Sequence, residues 1–213
     1  MSENHKTDLK IIVIGQSGTG KTSFTKRWTQ DLFEDFYSAT IASEFSMKIV
    51  ESYGKLYKIK LWDIGGQDKS FALAKIFAKD CFGCIVVSDS TDLNSLDSAL
   101  KWQKLVLNET KFIDGDNIPF ILVQNKIDLI ENREEFKKIE EKTKNIAENN
   151  NFEKYFMTSV KQNINVDESM TFLIDAIVSR LNKFSQENHN EPKEKKIKLV
   201  DDKILEGSDK KCC

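Results

Sequence analysis

Lys21 and Thr22 close an eight-residue run, Gly15-Gln16-Ser17-Gly18-Thr19-Gly20-Lys21-Thr22, that fits the pattern G-x-x-x-x-G-K-[ST] of a phosphate-binding loop. The chemistry this suits is the cradling of a polyphosphate. Glycines let such a loop curl until successive N–H groups point inward. A helix that follows adds free N–H groups and the positive end of its dipole. Lys21 would reach the outer phosphates, and Thr22 would offer its hydroxyl to Mg²⁺. Further along, Asp63-Ile64-Gly65-Gly66-Gln67 follows an apolar stretch. An acidic residue there suits the outer sphere of the same ion, and Gln67 sits where it could orient a water.

These residues need elements that bring them together. Residues 10–14 form a short run rich in β-branched side chains and read as a buried strand, and 22–30 reads as a helix. Residues 31–40 are polar with embedded aromatics and read as a surface loop. Residues 44–51 and 56–63 read as a β-hairpin, with Leu56, Lys58, Lys60 and Trp62 on one face and Tyr57, Ile59 and Leu61 on the other. Helical spacing follows over 68–80, a buried strand over 84–87, a helix capped by Asp92 or Asn94 and running to about Asn108, and a strand over 119–123. A charged helix over 131–150, a strand over 154–158 and an amphipathic helix over 167–181 complete the order. Strands alternating with helices predict an α/β three-layer sandwich with a mostly parallel six-stranded sheet, the hairpin adding one antiparallel edge strand. Ligands of such sheets sit at the carboxyl ends of the strands. The polar motifs at 22, 63, 125–128 and 159–161 all fall just after a strand, on one rim.

The chain has 213 residues, 32 basic against 34 acidic, and a formal charge of −2. One domain with a sizeable core and some tail is expected. The balance gives no reason to expect a nucleic-acid partner. No run is apolar for the ~18 residues a membrane helix needs, and residues 1–8 are too polar for a signal peptide, so a cytosolic protein is expected. Cys81 and Cys84 form one C-x-x-C without a second pair and read as packing residues between a helix and a strand.

Asn125-Lys126-x-Asp128 and Ser159-x-Lys161, added to the phosphate loop and Asp63-x-Gly-Gly66-Gln67, resemble the motif set of small Ras-like GTPases over about residues 9–184. Tyr37-Ser38-Ala39-Thr40-Ile41, Trp62 and the terminal Cys212-Cys213 resemble the Rab branch. Residues 38–41 and 163–166 look most like its subgroup of lysosome-related organelles and mitochondria. The resemblance implies the phosphate-loop small-GTPase fold and a GTP/GDP and Mg²⁺ site. Ser17, Gly18, Thr19, Gly20, Lys21, Thr22, Ser23, Phe33, Tyr37, Thr40 and Gly66 would surround the phosphates, ribose and base edge. Asn125, Lys126, Asp128, Ser159, Val160 and Lys161 would hold the guanine. Thr22, Thr40 and Asp63 would serve the metal, with Gln67 and Lys21 as the catalytic pair. Asp128 would accept from the ring N1 and the exocyclic amine, a pair that adenine lacks. Phe45, Trp62 and Phe77 resemble the aromatic triad that Rab proteins show to effectors.

Departures from the family pattern cluster in the two switch segments. Gly65 stands for an alanine, Asp68 for a glutamate, and Lys69-Ser70 for an arginine and an aromatic residue. Ile41 lacks its following glycine, and in the guanine loop Val160 replaces an alanine. None removes a ligand, but an extra glycine is expected to loosen the second switch. That leaves as alternative a GTP-binding scaffold with little or no hydrolysis. An unrelated phosphate-loop kinase or ATPase is disfavoured by Asn125, Lys126 and Asp128. No built-in arginine finger is visible near the first switch, so slow turnover and an activating partner are expected. The expected organisation is a disordered N-terminus over 1–8, a GTPase domain over 9–184 and a flexible tail over 185–213. Cys212 and Cys213 are read as prenylation sites, two geranylgeranyl groups on the Rab resemblance, two chains sufficing for stable anchoring. The resemblance further implies an exchange factor, a GTPase-activating protein, a Rab escort protein, a GDP-dissociation inhibitor and effectors. A monomer on the cytoplasmic face of an endosome, lysosome or related membrane, with a cytosolic pool, is expected.

Overall fold

A computed structural model describes residues 7–36, 40, 42–67 and 70–190, with side chains described through residue 187. Among the described residues six strands, β1 (Thr7–Ile14), β2 (Ser43–Ser52), β3 (Lys55–Ile64), β4 (Gly83–Asp89), β5 (Phe120–Asn125) and β6 (Lys154–Met157), form one sheet in the order β2-β3-β1-β4-β5-β6. All neighbours pair in parallel except β2 with β3. The helices are α1 (Lys21–Gln30), α2 (Phe71–Ala78), α3 (Asn94–Leu107), α4 (Arg133–Asn149) and α5 (Val166–Asn190). The expected α/β class and the antiparallel edge hairpin are therefore observed. α1 packs with α5, and α2 with α3.

Burial follows the pattern in the residues. β4 and β5 are buried along their whole length, as strands covered on both faces must be. In β3 the predicted alternation holds: Tyr57, Ile59 and Leu61 are buried, whereas Lys58, Lys60 and Trp62 are half-exposed. Each fully buried Ile or Leu of the central strands contributes about 1.5–3 kcal/mol by leaving water. α4 starts at Asn132, whose side chain accepts from the Glu134 and Glu135 N–H groups at 2.8 and 3.3 Å. Such a cap is worth about 1 kcal/mol. Cys81 and Cys84 lie in the core as packing residues, and burial raises both thiols, Cys81 to about 12.

Two boundaries differ from expectation. β1 begins at Thr7, paired with Tyr57, and the Asp8 carboxylate meets Lys60 at 2.5 Å and Lys58 at 3.7 Å. Cross-strand ion pairing extends the strand beyond its apolar run. α5 continues past Phe184 to Asn190. Polar composition alone does not end a helix, and no glycine or proline interrupts the sequence from Val166 until Pro192. The proposed tail beyond residue 190 lies outside the described residues, Cys212 and Cys213 included.

β1 is where the order of the sheet reverses, since β3 lies on one side of it and β4 on the other. A crevice opens at the carboxyl end of a strand in that position. The phosphate loop, residues 63–67, residues 125–128 and residues 158–161 all leave strands at this rim.

Candidate nucleotide site

A cavity of about 530 Å³ occupies the rim. Ser17, Gly18, Gly20, Lys21, Thr22 and Ser23 line its floor; Asn125, Lys126, Asp128, Val160 and Lys161 line one end; Phe33, Thr40 and Gly66 line its sides. Residues 100 or more apart in sequence thus meet as the motifs implied. Thr19, Asp63 and Ser159 sit behind this lining, fully buried. Gln67 is exposed and outside the lining, and its backbone carbonyl accepts from the Ser70 N–H at 2.8 Å. Tyr37, Asp68 and Lys69 lie outside the described residues. The sequence reading missed Lys26, Glu34, Asp35 and Glu44, which also line the cavity. They are charged residues in or beside a loop without a period, so no pattern singled them out.

The floor is built for an anion. α1 opens on Gly20, whose left-handed backbone (φ 95°) turns the loop into the helix, with no side-chain cap and no acidic residue in the first turn. α4 and α5 both carry two acidic residues there. The free N–H groups and positive dipole of α1 are therefore left to a ligand. Lys21 is only 5% exposed and donates to the Gln16 carbonyl at 2.9 Å. Burial lowers its ammonium from an ordinary 10.5 to about 8, outweighing the opposing pull of Asp63.

Thr22, Thr40 and Asp63 converge beside it. Thr22 Oγ1 lies 2.8 Å from Thr40 Oγ1 and donates to Asp63 Oδ2. Asp63 is 0% exposed, and burial raises its carboxyl to about 6. Its Oδ1 is buried without a hydrogen-bond partner. Two hydroxyls and an unsatisfied buried carboxylate oxygen make a hard oxygen donor set, which fits Mg²⁺.

At the other end, Asn125 ties three segments. Its Nδ2 donates to the Thr19 carbonyl at 2.9 Å, and its Oδ1 accepts from the Val160 N–H at 3.2 Å. Ser159 Oγ donates to Asp128 Oδ1, fixing the carboxylate that lines the cavity. Lys126, held in the left-handed region at φ 67°, pairs with Asp89 at 2.6 Å. Val160 is 2% exposed and packs into the core, so the larger side chain accounts for itself by filling space behind the loop.

Gly65 has a packing role that the sequence did not suggest. It is buried, and its N–H donates to the Ala42 carbonyl at 2.9 Å. A methyl group on it would stand 2.7 Å from the Thr40 carbonyl oxygen. The extra glycine therefore lets the two switch segments touch here. Gly66 in turn accepts from the Ser17 N–H at 3.0 Å.

Phe45, Trp62 and Phe77 form one surface stack, with ring centroids 5.1 Å apart (Phe45 to Trp62) and 4.6 Å apart (Trp62 to Phe77). Phe45 is 48% exposed, and Met47 and Ile49 continue its row along β2. That extension was readable as the alternation Phe45, Met47, Ile49.

Over residues 10–179 the chain matches the Ras family. It is 31% identical over 206 residues to the Ras-related protein Rab-32 of Mus musculus, a match covering 96% of this chain and 90% of that one. It is 31% identical over 171 residues to the Ras-related protein Rab-32A of Dictyostelium discoideum, covering 79% and 77%. To the Ras-related protein Rab-7L1 of Homo sapiens it is 27% identical over 171 residues, covering 80% and 82%. The chain therefore belongs to the Rab branch of the Ras family: it is a guanine-nucleotide-binding GTPase of membrane trafficking, a class governed by regulators and read by effectors.

Proposed function

We propose that this chain is a slow, membrane-anchored timer that hydrolyses GTP and passes between GTP- and GDP-bound shapes to regulate vesicle traffic. The observation that carries the reading is the joining of phosphate floor, metal-type oxygen cluster and Asp128 end in one cavity. Residues 7–190, from the start of β1 to the end of α5, are the GTPase domain and the polar stretch from there to Cys213 is the tether, with Cys212 and Cys213 as its geranylgeranyl sites. Thr22 and Thr40 would hold Mg²⁺ directly and Asp63 through its outer sphere. The bound ion would supply neutralising charge at the phosphates. Lys21, the loop amides and the start of α1 bind the polyphosphate and stabilise charge that develops during transfer. Asn125, Lys126, Asp128 and the 159–161 loop bind the base, with Phe33 over its edge. Thr40 and Gly66 connect switch segments that order with the γ-phosphate and relax after its loss. Effectors would read Phe45, Trp62 and Phe77. An exchange factor and an activating protein would set the two steps, and an escort protein and a dissociation inhibitor would carry the lipidated chain between cytosol and an endosomal or lysosome-related membrane.

Gln67 would orient the attacking water if its segment closes over the phosphate floor. Gln67→Leu is expected to slow single-turnover hydrolysis at least about tenfold with GTP still bound. An unchanged rate would overturn the role given to Gln67.

Lys21 gives binding a pH dependence. Its lowered value means that, in the chain alone, stability from this group increases as pH rises from about 8 toward 10.5, because the unfolded chain holds the extra proton. Bound phosphates favour the ammonium, so binding takes up a proton in that window. GDP affinity is expected to be level below about pH 8 and to fall above it, approaching about tenfold per pH unit. Titration calorimetry between about pH 7 and 9 tests this, and Lys21→Met should remove the slope along with most of the affinity.

A further inference from the structure

Arg27 lies in the last turn of α1, away from every motif, yet its guanidinium reaches three parts of the base end. Its Nε donates to the Val160 carbonyl at 3.1 Å and one terminal nitrogen to the Lys161 carbonyl at 3.4 Å. The other terminal nitrogen donates to the Asp31 carbonyl at 3.1 Å and to its carboxylate at 2.9 Å. Its central carbon stands 5.9 Å from the centre of the Phe33 ring. The side chain is 15% exposed, so these contacts are largely shielded from water.

Holding the end of α1 would require only Asp31. The remaining contacts go to the loop and the ring that close on the base. Val160 is gripped from both sides, its N–H by Asn125 Oδ1 and its carbonyl by Arg27 Nε. α1 itself starts in the phosphate loop at Gly20. A rigid helix therefore runs from the phosphate floor to the guanidinium, and the guanidinium fixes the far loop to that helix.

We infer that Arg27 is a positioning residue for guanine recognition, which locks the 159–161 loop and Phe33 to α1 and thereby slows nucleotide release. The inference rests on reading Asp128 and the 159–161 loop as the base site. A planar fork with several donors can hold three carbonyls and a carboxylate at once while lying against a ring, and a lysine ammonium cannot.

The test follows release of a fluorescent GDP analogue from the full-length, Mg²⁺-loaded protein. Arg27→Met is expected to speed release about tenfold, through loss of charge-assisted hydrogen bonds to the loop. Arg27→Lys should remain at least about threefold faster than the unmodified chain, because charge without the fork does not restore the geometry. In an Asp128→Asn background, where the base is already released, Arg27→Met should add less than about twofold. Circular dichroism melting establishes that each variant folds, and Arg27→Lys carries the test if Arg27→Met does not. Release at the unmodified rate in Arg27→Met, full rescue by lysine, or the same acceleration in both backgrounds would each overturn the inference. Asp128→Asn alone leaving release unchanged would overturn the base-site reading instead, so the two failures are distinguishable.

Discussion

Asp128→Asn is expected to weaken GDP binding by about 10²–10³-fold and to raise affinity for xanthosine diphosphate. The carboxylate can accept two hydrogen bonds side by side, and guanine presents two donors in that arrangement. An asparagine offers one acceptor and one donor. Its amide N–H₂ would face the exocyclic amine, so one charge-assisted bond is lost and two donors are left opposed. Xanthine carries an oxygen where guanine carries that amine, and the same amide then matches it. The surroundings favour a local effect. Ser159 Oγ donates to Asp128 Oδ1, and a short 3-10 turn over Ile127–Leu129 carries the residue. The amide oxygen of asparagine can still accept from Ser159, so the loop keeps its tie while the cavity face changes. Equilibrium titration of both nucleotides reads the swap directly. Equal GDP affinity in the two proteins would remove Asp128 from base recognition.

What the chain disclosed in advance follows from how each residue is used. The proposed roles of Lys21, Thr22, Asp63, Asn125 and Asp128 rest on their own side chains, at or after a strand end, so residue type and spacing revealed them, and the sheet brings them to one rim. The edge hairpin was readable because β3 alternates buried and half-exposed residues along its length. Arg27 was not readable. Its loop partners are backbone carbonyls 133 and 134 residues away, which carry no residue signature. The packing role of Gly65 was hidden for a related reason. A glycine in a turn suggests freedom when only the sequence is in view, but the neighbouring Thr40 carbonyl leaves no room for a methyl group. The length of α5 was underestimated because its last turns are polar, and a polar helix end resembles a tether by composition.

Gly66→Ala is expected to lower hydrolysis by about 10²-fold while GDP binding is largely retained. The reason is a close approach of backbone to backbone. A methyl group on Gly66 would stand 2.4 Å from the Ser17 nitrogen, 2.5 Å from the Gln16 carbonyl carbon and 2.5 Å from Lys21 Nζ. The lysine end could swing aside, but the first two atoms belong to the phosphate loop, whose shape is set by its own glycines. The segment must therefore back away, breaking the Ser17 N–H bond to the Gly66 carbonyl. Gln67 is the next residue and moves with it. A displacement of about 1 Å in a positioning group can cost about 10²-fold, which exceeds the effect of trimming Gln67 alone only if more than the water is misplaced. Here more is misplaced: the Gly66 N–H, proposed to sense the γ-phosphate, is carried off together with the side chain proposed to orient the water. The base end should be spared, since Asn125, Asp128 and Arg27 hold it without contact to Gly66. Single-turnover hydrolysis beside a GDP affinity measurement separates the two ends. A rate within about threefold of the unmodified chain would mean that the second switch does not need to close on the phosphate loop for chemistry.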